Sequence, residues 1–261
     1  MNTVDLSYWG LAVGLLLMLL PLYYLYKYKT GLVKATVIGT LRMLLQLFLF
    51  GFYMKYIFLI DNPFVNVLWV MVMVAVASET AVTRSQVRRG ALYVPLFLGF
   101  SFTALLIGFY FLIFVIGLGR DVFTARYFIP VMGILLGNML SVNVISLNTF
   151  FSGLGRERQL YYYLLANGAT VAEARAPFVK EALVKAFTPC IANMAVMGLV
   201  ALPGTMIGQI LGGSAPDVAI KYQIMIAVIT FSASMLSVML TLRLSSGKIF
   251  DSWGRIKDIS K

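Results

Sequence analysis

ALYVPLFLGFSFTALLIGFYFLIFVIGL, residues Ala91–Leu118, runs for 28 residues without a charged side chain. Crossing a hydrocarbon core about 30 Å thick takes about 20 helical residues, so this run can span a bilayer and is far too long for a buried strand. Six further apolar runs flank it: Leu6–Tyr26, Ala35–Met54, Phe64–Thr83, Tyr127–Phe150, Phe187–Leu211 and Tyr222–Leu242. All are continuous, whereas barrel strands alternate lipid-facing and lumen-facing residues in short segments. The expected fold is an all-α polytopic membrane protein with seven transmembrane helices.

Composition agrees. Of 261 residues, 61% are hydrophobic and 12% charged, and the mean hydropathy is +0.90. A water-exposed shell needs many more charges than that. The formal charge of +11 does not point to nucleic acid, because the Lys and Arg sit beside apolar runs, where they meet anionic headgroups. With one cysteine, Cys190, and no histidine, an intrachain disulfide is impossible and the commonest metal ligand and general base are missing. Residues Met1–Asp5 carry no positive cluster, so the first run reads as a retained helix rather than a signal peptide.

Orientation follows from the basic residues. Sixteen fall on one side: Lys27, Lys29, Lys34, Arg84, Arg88, Arg89, Arg156, Arg158, Arg175, Lys180, Lys185, Arg243, Lys248, Arg255, Lys257 and Lys261. Four fall on the other, namely Lys55, Arg120, Arg126 and Lys221. The positive-inside rule then places the N-terminus outside and the C-terminus in the cytoplasm of a cell whose inner membrane holds the chain. Tyr23, Tyr24, Tyr26 and Tyr28 form an aromatic belt at the cytoplasmic exit of the first span. One permease domain is drawn over residues 1–243, followed by a cytoplasmic tail, 244–261.

One connection is long. Ser152–Ala186 mixes basic and acidic residues and predicts a short helix around Leu160 and Leu164, a break at Gly168, and a second helix. Thr170 is the expected N-cap, with Glu173 completing a capping box, and Glu181 and Lys185 form an i,i+4 pair. This is a folded element suited to holding a partner.

Charges within the membrane are costly and usually face protein or water. Arg42 lies two turns into the second span, with Gln46 one turn further, and Glu79 lies near the inner end of the third. Both charges sit about 7–10 Å below the boundary at 1.5 Å per residue, matched for a structural pair or for a polar gate. Asn138 and Asn143 in the fifth span either bond neighbouring helices or line a cavity. In the sixth span, Pro203-Gly204 should kink or break the helix just before Met206 and Gln209. A hinge there would serve an outer gate.

At Arg42-Met43-Leu44-Leu45-Gln46-Leu47, Gly137-Asn138-Met139, Gly168-Ala169-Thr170 with Glu173-Ala174, and Gly198-Leu199-Val200 through Pro203-Gly204 to Pro216 and Tyr222-Gln223, the chain resembles the FetB-type (YbbM-like) permeases, iron-export subunits of ABC transporters. The resemblance implies a permease homodimer that pairs with two copies of a separate ATPase subunit carrying ATP and Mg. The chain has no phosphate-binding loop of its own, so it is expected to be a permease subunit and not an enzyme. Gly168, Ala169, Thr170, Glu173 and Ala174 would form the ATPase-docking turn, similar to the Glu-Ala-Ala loop of ABC permeases. Tyr161-Tyr162-Tyr163 departs from the family, whose members are more charged there. The family implies a metal cation as cargo, although the chemistry of bare iron asks for carboxylate, imidazole or thiolate ligands. Plant relatives linked to aluminium tolerance are associated with a nucleotide sugar, which makes an organic anion the alternative cargo. A secondary transporter built around the broken helix is a further alternative, and an intramembrane enzyme is disfavoured by the scarcity of acids and nucleophiles.

Overall fold

A computed structural model describes residues 7–85, 89–251 and 254–257. Residues 1–6, Arg88 and Lys261, which entered the reading of the first span and of the charge distribution, lie outside the described residues. The helices are α1 (Tyr8–Leu15), α2 (Leu19–Lys27), α3 (Val33–Ile60), α4 (Pro63–Arg84), α5 (Arg89–Tyr110), α6 (Ala125–Arg156), α7 (Arg158–Ala166), α8 (Val171–Val196), α9 (Gly204–Leu211) and α10 (Pro216–Ile249). A 3-10 turn at Leu16–Met18 joins α1 to α2, so Tyr8–Lys27 forms one continuous span. A five-residue π-helix, Phe111–Val115, extends α5. The β structure among the described residues consists of two isolated bridges.

Among the described residues, six stretches are long and apolar enough to cross a membrane: Tyr8–Lys27, Val33–Ile60, Pro63–Arg84, Leu92–Val115, Ala125–Arg156 and Pro216–Ile249. The expected span Phe187–Leu211 is not one helix. Helix α8 stops at Val196, residues 197–203 leave the helical path, and α9 restarts only at Gly204. The cause is local: Gly198 has φ +88, the Gly198 amide bonds back to the Ala201 carbonyl at 2.9 Å, and Pro203 lacks an amide donor and takes the N-cap position of α9. The break therefore begins about one and a half turns before the proline. The boundary drawn at Ala186 also disappears, because α8 runs unbroken from Val171 through it. Likewise α10 continues past residue 243 to Ile249.

Helices α4, α5, α6 and α10 form the packed bundle, with α8 laid against α6. Lipid tails are as apolar as leucine, so these seams are held by close packing and internal polar contacts. At the α5–α10 seam a Cβ on Gly99 would lie 3.0 Å from Thr241 Oγ1; only the missing side chain lets the backbones approach so closely. Ser78, Thr103, Asn143, Ser146, Ser237 and Thr241 are fully buried along the interior. In contrast, α1 and α2 bury no residue, and α3 buries only Met54 and Ile57, which pack with Ala125 and Ile129.

A polar latch joins the turn after α3 to the start of α6. Asp61 caps α3 at φ 37, and its Oδ1 accepts the Ala125 amide at 2.7 Å and the Asn66 side-chain amide at 3.2 Å. The buried Asn66 also donates to the Phe123 carbonyl at 2.8 Å. A carboxylate at the first amide of α6 is favoured by that helix's positive end.

Candidate functional site

The break between α8 and α9 opens space beside α10. Between α6, α8 and α10 lies a cavity of about 170 Å³ whose lining includes Asn138, Cys190, Asn193, Met194, Met197 and Thr230. A groove of about 400 Å³ adjoins it, sharing Met194 and Met197 and adding Pro203, Met206 and Gln223. Gln223 ties the broken segment to α10: its side-chain oxygen accepts the Thr205 hydroxyl at 2.6 Å, and its amide nitrogen donates to Met197 Sδ at 3.7 Å. Gln223 lies seven residues into α10, so the break sits about 10 Å in from that helix's start. Irregular backbone at such depth is tolerated where it lines a cavity or is enclosed by protein.

A third cavity, of about 360 Å³, lies towards the start of α6 and α10 and is lined by Arg126, Tyr127, Gln209, Ser214 and Tyr222 among apolar residues. The π-helix contributes Phe111 to its wall, in keeping with the frequent placement of π-turns at functional sites.

The residues singled out in the sequence divide between these places. Asn138 lines the first cavity, Pro203 and Met206 the groove, and Gln209 the third cavity; Gly204 opens α9. Asn143 lines none of the three. It is buried and donates to Ser237 Oγ at 2.9 Å, joining α6 to α10. Arg42 and Glu79 do not form the ion pair that their depths suggested. Matching depth is not proximity: α3 meets the bundle through Met54 and Ile57, near its far end, and its stretch around Arg42 and Gln46 is exposed. Glu79 sits half-buried on α4.

At the Lys- and Arg-rich end, the expected helix–break–helix is present. Helix α7 ends at Ala166, Gly168 has φ +90, and α8 starts at Val171. Thr170 and Glu173 form the capping box: the Thr170 amide and hydroxyl each donate to Glu173 Oε2 at 2.8 Å, and the Glu173 amide donates to Thr170 Oγ1 at 3.3 Å. Ala169 is half-buried and Ala174 fully buried. Glu181 pairs with Lys185 at 2.8 Å and reaches Arg156 at 3.7 Å, which fastens α8 to the end of α6.

The Thr170 amide and hydroxyl bonds hold the Glu173 carboxyl below the usual carboxylate range. A depressed folded value means the cap is intact above the ordinary glutamate pKa of about 4.3 and is lost as pH falls through the lowered value. Thr170→Ala should cost about 1 kcal/mol of helix stability, measured as faster amide exchange in the first turn of α8 with the rest of that helix unchanged.

Sequence reasoning missed two groups. Tyr161, read as a departure from the family, is fully buried; its hydroxyl donates to the Gly254 carbonyl at 2.8 Å and its ring stacks on Phe250 with centroids 5.5 Å apart. The Tyr162 hydroxyl accepts the Ile256 amide at 3.2 Å. These two tyrosines hold the chain after α10 against α7, while Tyr163 is exposed. The other missed group is Cys190 and Met194, whose i, i+4 spacing places them on one face of α8, with Met197 just past that helix's end. That signal was present in the sequence.

A family model described as "Uncharacterised protein family (UPF0014)" matches residues 8–250. The chain is 29% identical over 253 residues to the Escherichia coli (strain K12) protein described as "Probable iron export permease protein FetB", covering 97% of this chain and 95% of that protein. It is 34% identical over 216 residues to "UPF0014 membrane protein STAR2" of Oryza sativa subsp. japonica, covering 82% and 73% respectively. With "Protein ALUMINUM SENSITIVE 3" of Arabidopsis thaliana it shares 32% identity over 229 residues, covering 87% and 81%. No solved structure matches the chain.

Proposed function

The chain belongs to the uncharacterised protein family UPF0014, and on that footing we propose that it is the membrane-spanning permease subunit of an ABC exporter. In this reading it is a homodimer in a cytoplasmic membrane, driven by two copies of a separate ATPase subunit that bind ATP and Mg. Its basic end is cytoplasmic by the positive-inside rule. The broken α8–α9 segment counts as a seventh crossing, which puts the N-terminus outside and the C-terminus inside.

The observation that carries this reading is the continuity of α8. The helix starts at the capped turn after Gly168 and runs 26 residues to Val196, with Cys190, Asn193 and Met194 near its end lining the first cavity. A continuous helix of that length spans about 39 Å, with Pro177 and Pro189 inside it as the places where it can bend, so in this reading displacement of the docking turn by an ATPase is carried along α8 to the cavity wall. The likeness to a protein named as an iron export permease supports export and a metal cation as cargo. The third cavity, with Arg126 among tyrosines, favours the second reading, in which the cargo is an organic anion. An ATPase-independent carrier would keep transporting with no partner bound.

The purified chain should hydrolyse no ATP alone and should co-purify with an ATP-binding subunit through residues 160–185. Gly168→Trp should abolish that association. Open space surrounds a Cβ at this position, while φ +90 strains any side chain, so Gly168→Ala separates backbone strain from bulk. Normal co-purification of the Trp variant, or equal loss in both variants, removes the docking assignment.

A further inference from the structure

We propose that one face of α10 forms a transport path inside each chain, lined by hydroxyls and amides, and that its half towards the basic end is shut in this structure. Gln223, Thr230, Ser234, Ser237, Thr241 and Ser245 are all buried. At 3.6 residues per turn they fall within an arc about 80° wide and run about 33 Å along α10, enough to cross a hydrocarbon core of about 30 Å. Ser232, on the opposite face, is exposed. The first half of this face lines open space: Gln223 the groove, Thr230 and Ser234 the cavity between α6, α8 and α10. The second half is closed by α5 and α6.

Two contacts fix how that half closes. Asn143 of α6 donates to Ser237 at 2.9 Å, and both helices run towards the basic end, so Ser146 and Thr241 lie together one turn further on. A Cβ on Gly99 of α5 would stand 3.0 Å from Thr241 Oγ1. Helix α5 runs the other way, which brings Thr103, one turn from Gly99, level with Ser237. Small residues in such a seam commonly serve close packing, but packing does not account for their oxygens. Thr103 Oγ1, Asn143 Oδ1, Ser146 Oγ and Thr241 Oγ1 are fully buried with no hydrogen-bond partner among the described residues. By contrast, Thr40, Thr80, Thr188 and Thr230 each bond the carbonyl four residues back. Four orphaned atoms at two adjacent levels find partners once the seam parts and water enters.

The lining selects the state of the cargo. Among the described residues, neither the two open spaces nor the closed levels carry an acidic or basic side chain. A bare divalent or trivalent ion needs several carboxylate or carbonyl oxygens to replace its water, so a cargo crossing these levels keeps its own water shell. Hydroxyls both donate and accept, which suits them to face such a shell. The inference rests on the transport reading and adds that the path lies within one chain rather than between two; water access is read separately from association with an ATPase.

Cys190 is the chain's one cysteine, so Cys190→Ala gives a background for single thiols. On it, Thr103→Cys, Ser146→Cys and Thr241→Cys are treated with a trimethylammonium methanethiosulfonate in membranes of the cells that make the protein. The references are Ser232→Cys, on the outward face of α10, and Ala104→Cys, in the apolar core. The reagent needs a thiolate in water, so each seam position should react at least about tenfold faster than either reference. A variant without native helix content is judged at the other two positions. Rates no faster than at Ala104→Cys overturn the proposal and leave a permanently packed seam. Thr241→Val deletes the unpaired hydroxyl and keeps the shape, which favours the shut state. It should raise the melting temperature and slow the labelling of Ser146→Cys severalfold; unchanged or faster labelling overturns the proposal as well. ATPase association in a chain whose seam never labels removes this inference alone. Rapid labelling in a chain that associates with no ATPase removes the export reading alone.

Discussion

Tyr161→Ala releases the chain after α10 from α7. Tyr161 is fully buried between Phe250, Tyr162 and the Gly254 carbonyl, so truncation removes a large packed ring and a hydrogen bond together. Buried aromatic-to-alanine changes cost about 3–5 kcal/mol, enough to open a local unit held by few other contacts. The measurement is amide exchange at Ile256 and Lys257, whose protons are held by Tyr162 Oη and the Ile249 carbonyl. Both should lose protection while the interior of α10 keeps its own. Tyr161→Phe keeps the ring and deletes only the hydroxyl bond, so it should cost about 0.5–1.5 kcal/mol. Unchanged exchange in the alanine variant would mean that the segment is held without Tyr161.

Asp61→Ala, the second large effect, acts at the opposite end of the bundle. Its carboxylate holds the first amide of α6 at 2.7 Å and the buried Asn66 amide at 3.2 Å. Hydrogen bonds to a charged group contribute about 1.5–3 kcal/mol, and losing the acceptor strands both donors. Alanine is also poorly suited to φ 37. We expect a lowered melting temperature in detergent and faster exchange at Ala125. Asp61→Asn, which keeps an oxygen acceptor and tolerates the left-handed backbone, should recover most of the loss. An Asp61→Ala chain as stable as the parent would leave the α3–α4 turn tied to α6 by apolar packing alone.

The capping box at Thr170 and Glu173 and the pair at Glu181 and Lys185 were legible because helix ends and i,i+4 spacings are local. The turn at Gly168 was legible for the same reason. Arg42 and Glu79 show the limit: depth along a span can be counted, but whether two helices approach at that depth depends on how α3 leans, and it meets the bundle elsewhere. The role of Tyr161 and Tyr162 was not legible because their partners lie some ninety residues away in sequence, after α10. Pro203 suggested where the sixth span would yield, yet the helix ends at Val196, since a left-handed glycine at 198 and its bond to Ala201 close the turn earlier.

By itself the sequence determined that the chain is helical and lies in a membrane, because long uncharged runs can satisfy their backbone in lipid only as helices or closed barrels, and continuous runs exclude the barrel. It also determined the folded turn at Gly168. Only the tertiary structure decided that this turn and the broken segment stand at the two ends of one helix, and that Asn143 is a tie between helices while Asn138 lines a cavity. Those are relations between distant residues, set by how neighbouring helices pack, and hydropathy along one chain carries no record of its neighbours.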